Sequence, residues 1–241
     1  MKKKVIALML AAAMVVGVTA CGGSSAEPAP TPGIDDASEP TEGGEAPADD
    51  TGADSTAPAA SGEGKVLSVQ IGPNPETIDP ALNSAVDGGN MILHTFECLL
   101  TVDQEGKLAP GQAESWETSE DGLTWTFHLR DGLKWSDGSA LTANDFVYSW
   151  RRVCDPMVAA PYAETVLGMV EGYADAIGGN LEALGVEAPD DKTLVVHLTQ
   201  PCSYFGSLAA FATLSPVQQA TIDANGDGWA VAADTYVCNG S

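Results

Sequence analysis

The chain has 241 residues, of which 34 are acidic and 10 are Lys or Arg, and its formal net charge is −24. This charge excludes the usual nucleic-acid-binding protein, which needs a basic surface to meet the phosphates. The large apolar residues are concentrated in the C-terminal part of the chain, where roughly 175 residues are enough for one domain or two small lobes.

The N-terminus has the pattern of a secretory signal peptide over residues 1–20. Three lysines at positions 2–4 precede a short apolar run at 5–16. The following VTAC at 18–21 resembles a lipobox, which implies cleavage before Cys21 and acylation of its thiol. The alternative is a retained transmembrane helix, for which the apolar run is near the short end.

Residues 21–64 are predicted to be a lipid anchor followed by a disordered acidic linker. Residues 22–64 consist almost entirely of Ala, Pro, Gly, Ser, Thr, Asp and Glu, with no Lys or Arg. Such a composition does not bury enough apolar surface to offset the entropy lost on ordering. The linker would hold the folded part away from an anionic membrane; a site for a specific partner is the alternative.

The first folded elements are predicted from short patterns. Alternation over residues 65–71 predicts a strand. Asp79 must be extended because Pro80 follows it. Apolar residues at helical spacing predict a helix over 90–100, and a turn follows at 102–107.

A strand and a capped helix are predicted within residues 115–153. Asp-Gly pairs that begin at 121, 131 and 137 indicate turns. Between the first two, side chains alternate: Trp125, Phe127 and Leu129 face one way, and Thr124, Thr126, His128 and Arg130 face the other.

The helix is predicted to begin after Thr142, which is a good N-cap, with Asp145 completing a capping box. Phe146 and Trp150 lie four residues apart on one face, together with Val147 and Val153. Pro156 ends the helix.

Further elements are predicted beyond this helix. Residues 162–183 are expected to be helical in two pieces around the Gly pair at 178–179, and 193–198 alternate as a strand. The Thr-x-x-x-His at 193–197 repeats the one at 124–128, which we interpret as similar edge-strand chemistry. A small apolar helix is predicted for 204–214.

Four segments in this order resemble the extracytoplasmic solute-binding proteins of the peptide/nickel type, which deliver ligands to ABC importers. The resemblance is strongest to the oligopeptide-binding members and extends over about residues 66–240. The segments are AESWE at 113–117, WTFHLRD at 125–131, KWSDG at 134–138 and TANDFVYSW at 142–150.

The resemblance implies an α/β fold like the type II periplasmic binding proteins, of which this chain would be the N-terminal portion. It implies that residues 65–96 and 218–241 are part of a large ligand-binding lobe, and that 97–217 form a smaller inserted subdomain. Complete members of the family are longer and close two lobes around the ligand.

The resemblance also implies ligand-binding residues. Ser84, Ala85 and Val86 would lie along a bound peptide and pair with its backbone, and Tyr162 would lie at the cleft. Relatives often have an acidic residue where Ser84 stands, which puts a charge contact there in doubt. The alternatives are an ordinary surface loop and a half-buried packing tyrosine.

The resemblance implies that the protein is a lipid-anchored monomer at the extracytoplasmic face of the membrane. It would deliver oligopeptides to the permease subunits of an ABC importer, without a cofactor, a metal or nucleic acid. The alternatives are a surface peptide sensor or adhesin built on the same lobe, and a nickel- or haem-binding member of the family. No catalytic motif is found in the sequence, so nothing positive favours an enzyme.

Two minor sequence features leave questions open. The pattern Asp223-x-Asn225-x-Asp227-Gly228, with Asp234 at the twelfth position, resembles the start of a calcium loop. Four widely spaced cysteines allow either two disulfides or buried free thiols. These cysteines are Cys98, Cys154, Cys202 and Cys238.

Overall fold

The computed structural model of the chain describes Gln70 and residues 72–240. The predicted signal peptide, Cys21 and the predicted linker lie outside the described residues. The strand predicted for 65–71 also lies outside them, apart from Gln70.

The strands form two antiparallel sheets. Strands β1 (Leu100–Val102) and β2 (Leu108–Pro110) form a hairpin across the turn predicted at 102–107. The second sheet has four strands in the order β3-β4-β6-β5. Its strands are β3 (Ala113–Thr118), β4 (Thr124–Leu129), β5 (Val186–Asp190) and β6 (Thr193–His197).

The helices are short, and the two longest have 10 and 12 residues. The α-helices are α1 (Val86–Thr95), α2 (Ala143–Cys154), α3 (Ala163–Leu167), α4 (Tyr173–Ala176), α5 (Phe205–Leu208) and α6 (Gln219–Asn225). Single 3₁₀ turns lie at Leu181–Ala183, Ala212–Leu214 and Gly226–Ala230. Among the described residues, no helix is long and apolar enough to span a membrane. The longest of them, α2, has 12 residues.

The alternation predicted for strand β4 is confirmed by its burial. Trp125 and Phe127 are buried, and they stand opposite Val196 and Leu194 of strand β6, which are buried too. The rings of Trp125 and Phe127 stack with centroids 6.0 Å apart. These side chains on one face of the sheet therefore form a large part of the hydrophobic core.

Helix α2 covers this face, and its predicted boundaries and apolar face are confirmed. The backbone N–H of Thr142 donates to Asp145 Oδ2 over 2.7 Å as part of a capping box. Trp150 is fully buried, with its ring 6.3 Å from that of Phe205. Phe205 also lies 5.6 Å from the Trp125 ring, so it joins the helix to the sheet.

Three predicted helices differ from the structure in their extent. Helix α1 covers 86–95 rather than 90–100, and it ends where Phe96 becomes extended. The segment 162–183 breaks at Gly172 as well as near 178–179. Gly172 has φ +72°, and a Cβ there would lie 1.8 Å from the carbonyl oxygen of Ala183. The helix predicted for 204–214 is reduced to α5 and a 3₁₀ turn.

The interpretation of the two Thr-x-x-x-His segments as edge strands is wrong. They are β4 and β6, the two inner strands of the sheet, and they pair with each other. Thr124 stands opposite His197 and Thr193 opposite His128, with Thr124 Oγ1 3.4 Å from His197 Nδ1. Because the strands are antiparallel and in this register, the Thr of each segment stands opposite the His of the other.

The alternative of a calcium loop is contradicted by the structure. Asp223 and Asn225 belong to helix α6, where the Asn225 side chain donates to the carbonyl oxygen of Thr221 over 2.9 Å. The sharp turn of a calcium loop falls at its sixth position, here Gly228, which instead lies within the 3₁₀ turn Gly226–Ala230. No group of three metal-ligating side chains occurs in the described part of the chain.

The four cysteines within the described residues are free thiols, and three of them are buried. Burial raises the pKa of Cys98 to about 11 and that of Cys154 to about 12. Their thiols are therefore protonated at neutral pH and behave as small apolar side chains.

Candidate ligand-binding cleft

A cavity of about 400 Å³ lies between the start of helix α1 and the segment 210–213. It brings together all four residues that the sequence suggested for ligand contact, although 76 positions separate Val86 from Tyr162. Its lining consists of Pro80, Asn83, Ser84, Ala85, Val86, Gly89, Asn90, Leu93, Tyr162, Ala210, Phe211, Ala212 and Thr213.

The segment 84–86 changes conformation within three residues. Ala85 is extended, with φ −113° and ψ 153°, whereas Val86 is the first residue of helix α1. All three residues are exposed, and the Val86 side chain is 82% accessible. Ala85 therefore has the extended backbone that pairing with a peptide requires, whereas the helical Val86 does not.

Backbone groups of this segment are available to a ligand. The first N–H groups of a helix have no acceptor within the helix. Among the described residues, neither the N–H of Val86 nor the N–H and carbonyl of Ser84 have a hydrogen-bond partner. The segment can therefore donate and accept main-chain hydrogen bonds, as strand addition requires.

The loop before helix α1 is anchored by the buried carboxylate of Asp79, which is 3% exposed. Arg152 of helix α2 donates to both of its oxygens, over 3.0 and 2.6 Å. Trp229 Nε1 adds a third hydrogen bond at 3.1 Å, and the N–H of Ala81 a fourth at 2.9 Å. Bidentate, charge-assisted bonds of this kind fix the carboxylate and the loop that carries it.

Helix α1 approaches this loop so closely that only glycine fits at the contact. A Cβ at Gly88 would lie 2.2 Å from Asn83 Oδ1 and 2.6 Å from the carbonyl oxygen of Thr77. Asn83 in turn donates through Nδ2 to the carbonyl oxygen of Ala85 over 3.0 Å. The conformation of the 84–86 segment is thus held from both sides.

Tyr162 lies on the other side of the cavity, just before helix α3. Its half-buried ring meets Phe211 edge-to-face, with centroids 5.5 Å apart at 73°. Phe211 itself is 42% exposed. The tyrosine therefore packs against a neighbour and lines the cavity at once, so the two sequence-based alternatives for it are compatible.

Several residues that shape the cavity were missed by sequence reasoning. Asp79 was interpreted only as an extended residue before proline, and Arg152 only as part of a helix. Phe211 was predicted only as part of the helix over 204–214, and in the structure it lies between α5 and the following 3₁₀ turn. A charged residue directly before a proline, in a chain with only ten basic residues, was the available signal for the ion pair.

A second aromatic cluster joins the loop to the end of the described chain. Trp229 stacks on Tyr236 with centroids 5.6 Å apart, and Phe96 meets both rings edge-on. Burial raises the pKa of Tyr236 to about 12 even though its hydroxyl bonds Thr95. Trp229 connects this cluster to the Asp79 carboxylate, to which its indole N–H donates.

Comparison with known proteins places this geometry in a family. Residues 107–241 match the family model described as bacterial extracellular solute-binding proteins, family 5 Middle. The periplasmic oligopeptide-binding protein OppA of Haemophilus influenzae is 44% identical over 176 residues, which are 72% of this chain and 32% of that protein. The probable deoxycholate-binding periplasmic protein YgiS of Escherichia coli is 40% identical, over 70% of this chain and 32% of that protein.

Solved structures give the same result. The crystal structure of Haemophilus influenzae OppA in complex with RPPGFSPFR superposes with a TM-score of 0.66 and 46% identity. The superposition covers 69% of this chain and 33% of the OppA chain. The chain therefore spans about a third of the length of these relatives. The predicted α/β fold of the periplasmic binding proteins is confirmed. The chain belongs to the bacterial extracellular solute-binding proteins of family 5, a family of binding proteins and not of enzymes.

Proposed function

We propose that the chain captures oligopeptides outside the cytoplasm and delivers them to the permease of an ABC importer. The observation that carries this proposal is the shared cavity of Ser84, Ala85, Val86 and Tyr162. On one of its walls are backbone groups that have no partner among the residues that the structure describes. Relatives named as oligopeptide-binding proteins support it.

The physical logic is recognition of the peptide main chain. Hydrogen bonds to Ser84 and Val86 would be the same for any peptide sequence, because they involve only backbone groups of the ligand. Tyr162 and Phe211 would supply an apolar wall that tolerates different side chains.

We also propose that residues 65–96 and 218–241 belong to one large lobe. The bond from the Gly240 N–H to the Thr95 carbonyl and the bond between the Tyr236 and Thr95 hydroxyls support this proposal. The hydrogen bond from Trp229 Nε1 to Asp79 does so too. The segment 97–217 would then be the inserted subdomain.

Val86→Pro tests the backbone contact directly. Proline removes the N–H but is tolerated at the first position of a helix, and the extended Ala85 already has the conformation that a following proline requires. We expect the free energy of unfolding to stay within about 1 kcal/mol of the wild-type value. Affinity for tri-alanine, measured by isothermal titration calorimetry, should fall by roughly tenfold, because a buried carbonyl of the peptide loses its donor.

Val86→Ala is the matched control, since it shortens the same side chain but keeps the N–H. It should bind tri-alanine within about threefold of wild type. Equal affinity of the proline variant and wild type would show that this N–H does not contact the ligand.

We propose that the protein is anchored to the membrane through a lipid on Cys21. Because two acyl chains anchor a protein stably where one does not, Cys21→Ser should move the protein from the membrane fraction to the soluble fraction. Cys238→Ser is the control and should leave fractionation unchanged. If the Cys21→Ser protein stayed in the membrane pellet after a carbonate wash, the lipid anchor would be excluded.

A bile acid is a second candidate ligand, favoured by the relative named as probably deoxycholate-binding and by the apolar cavity wall. Titration with deoxycholate distinguishes the two. Binding of deoxycholate at micromolar concentration without binding of any tripeptide would replace the peptide proposal.

A further inference from the structure

The cavity beside Ser84–Val86 has an unusual property for so acidic a chain: none of its lining side chains is charged. Its polar side chains are amides and hydroxyls, and the rest of the wall is apolar. Val86, Leu93 and Phe211 are its large apolar members, and all three are exposed to solvent.

Acidic groups on the same segments are turned to other partners. Asp79 carries its charge into the buried pair with Arg152. Asp87 lies in the first turn of helix α1, and its Oδ1 accepts the N–H of Gly88 over 2.8 Å. His94 and Glu97 line a neighbouring cavity of about 360 Å³, which shares Leu93 and Ala210 with this one.

We infer that the side chain of a bound peptide that fills this cavity is apolar and uncharged. This inference rests on the proposed function, since it assumes that a peptide lies along the cavity. An ammonium or carboxylate placed there would lose hydration without gaining a counter-charge. A leucine side chain would instead be removed from water against Leu93 and Phe211, which is worth at least a tenfold gain in affinity over alanine.

The net charge of −24 acts in the opposite direction, because it attracts cationic peptides at long range. This attraction is screened beyond about 8 Å at physiological ionic strength. At 0.15 M salt or above, the neutral lining therefore decides which peptide side chain is preferred, and the test is made under these conditions.

The experiment is calorimetric titration of the purified chain with tri-alanine and with tripeptides in which each position in turn is Leu, Lys or Glu. We expect Leu at one position to tighten binding at least tenfold over tri-alanine. Lys or Glu at that position should bind no better than alanine. Lys peptides that bind more tightly than the Leu peptides at 0.15 M salt would overturn the inference.

Asn90→Asp gives a second, independent test. Asn90 is an exposed member of the cavity lining in helix α1, and the substitution adds a charge with almost no change of shape. The affinity of the Lys peptide should rise about two- to fivefold and that of the Glu peptide should fall, as expected for an ion pair at an exposed position. Asn144→Asp is the matched control, because Asn144 is an exposed residue that lines a different cavity, and it should leave all affinities unchanged.

The two levels of the proposal fail differently. If no tripeptide bound, the proposed function would be wrong. If tripeptides bound without preference for Leu, or if Asn90→Asp changed nothing, peptide capture would stand and the inferred selectivity would be wrong.

Discussion

Replacing Asp79 with alanine is expected to lower the free energy of unfolding by about 3–5 kcal/mol, because it leaves the Arg152 guanidinium as an uncompensated buried charge. The carboxylate is 4% exposed and the arginine side chain 9%, so water cannot replace the lost partner. The substitution also removes the acceptors of Trp229 Nε1 and of the Ala81 N–H. Urea unfolding followed by tryptophan fluorescence measures the loss.

Two controls separate the buried pair from surface electrostatics. Glu105→Ala breaks an exposed pair with Lys107 and should change stability by no more than about 1 kcal/mol. Adding Arg152→Met to Asp79→Ala should recover part of the loss, because the stranded charge is removed along with its partner. A loss below about 1 kcal/mol for Asp79→Ala alone would show that the pair is not buried in solution.

The same substitution should also affect the cavity. The Asp79 side chain holds the Ala81 N–H, and the Asp79 carbonyl oxygen accepts the N–H groups of Leu82 and Asn83. Asn83 then positions Ala85. Loosening this loop should therefore weaken peptide binding as well as stability, whereas Glu105→Ala should affect neither.

Trp125→Ala is expected to cost about 3–5 kcal/mol, as for other large aromatic residues removed from a core. Trp125 is 5% exposed and its ring contacts those of Phe127 and Phe205. Its removal leaves a space between strand β4 and helix α5 that rigid strand pairing prevents from closing. A cost under about 1 kcal/mol would mean that this face of the sheet is not the core.

Trp116→Ala is the matched control, since Trp116 lies in the neighbouring edge strand β3 and is only half-buried. It should cost clearly less than Trp125→Ala. Trp125→Phe should cost below about 1.5 kcal/mol, because it keeps most of the ring. It also removes an indole N–H that is buried without an acceptor in the described part of the chain.

The sequence by itself determined the local elements of this protein. The alternation of Trp125, Phe127 and Leu129 predicted which face of β4 is buried, because a strand's period of two does not depend on its neighbours. The Thr142–Asp145 capping box predicted where helix α2 begins, since both partners lie within one turn. The resemblance, also contained in the sequence, indicated Ser84, Ala85, Val86 and Tyr162 as a group.

Only the tertiary structure decided which distant residues meet. The bonds of Asp79 to Arg152 and Trp229 connect residues 73 and 150 positions apart, and no local pattern indicates such pairs. The pairing of β4 with β6 turned a supposed edge-strand motif into the centre of the sheet. The aromatic wall of the cavity likewise forms only because Phe211 packs against Tyr162. Contacts between separate segments are set by the packing of the whole core and not by the propensity of either segment.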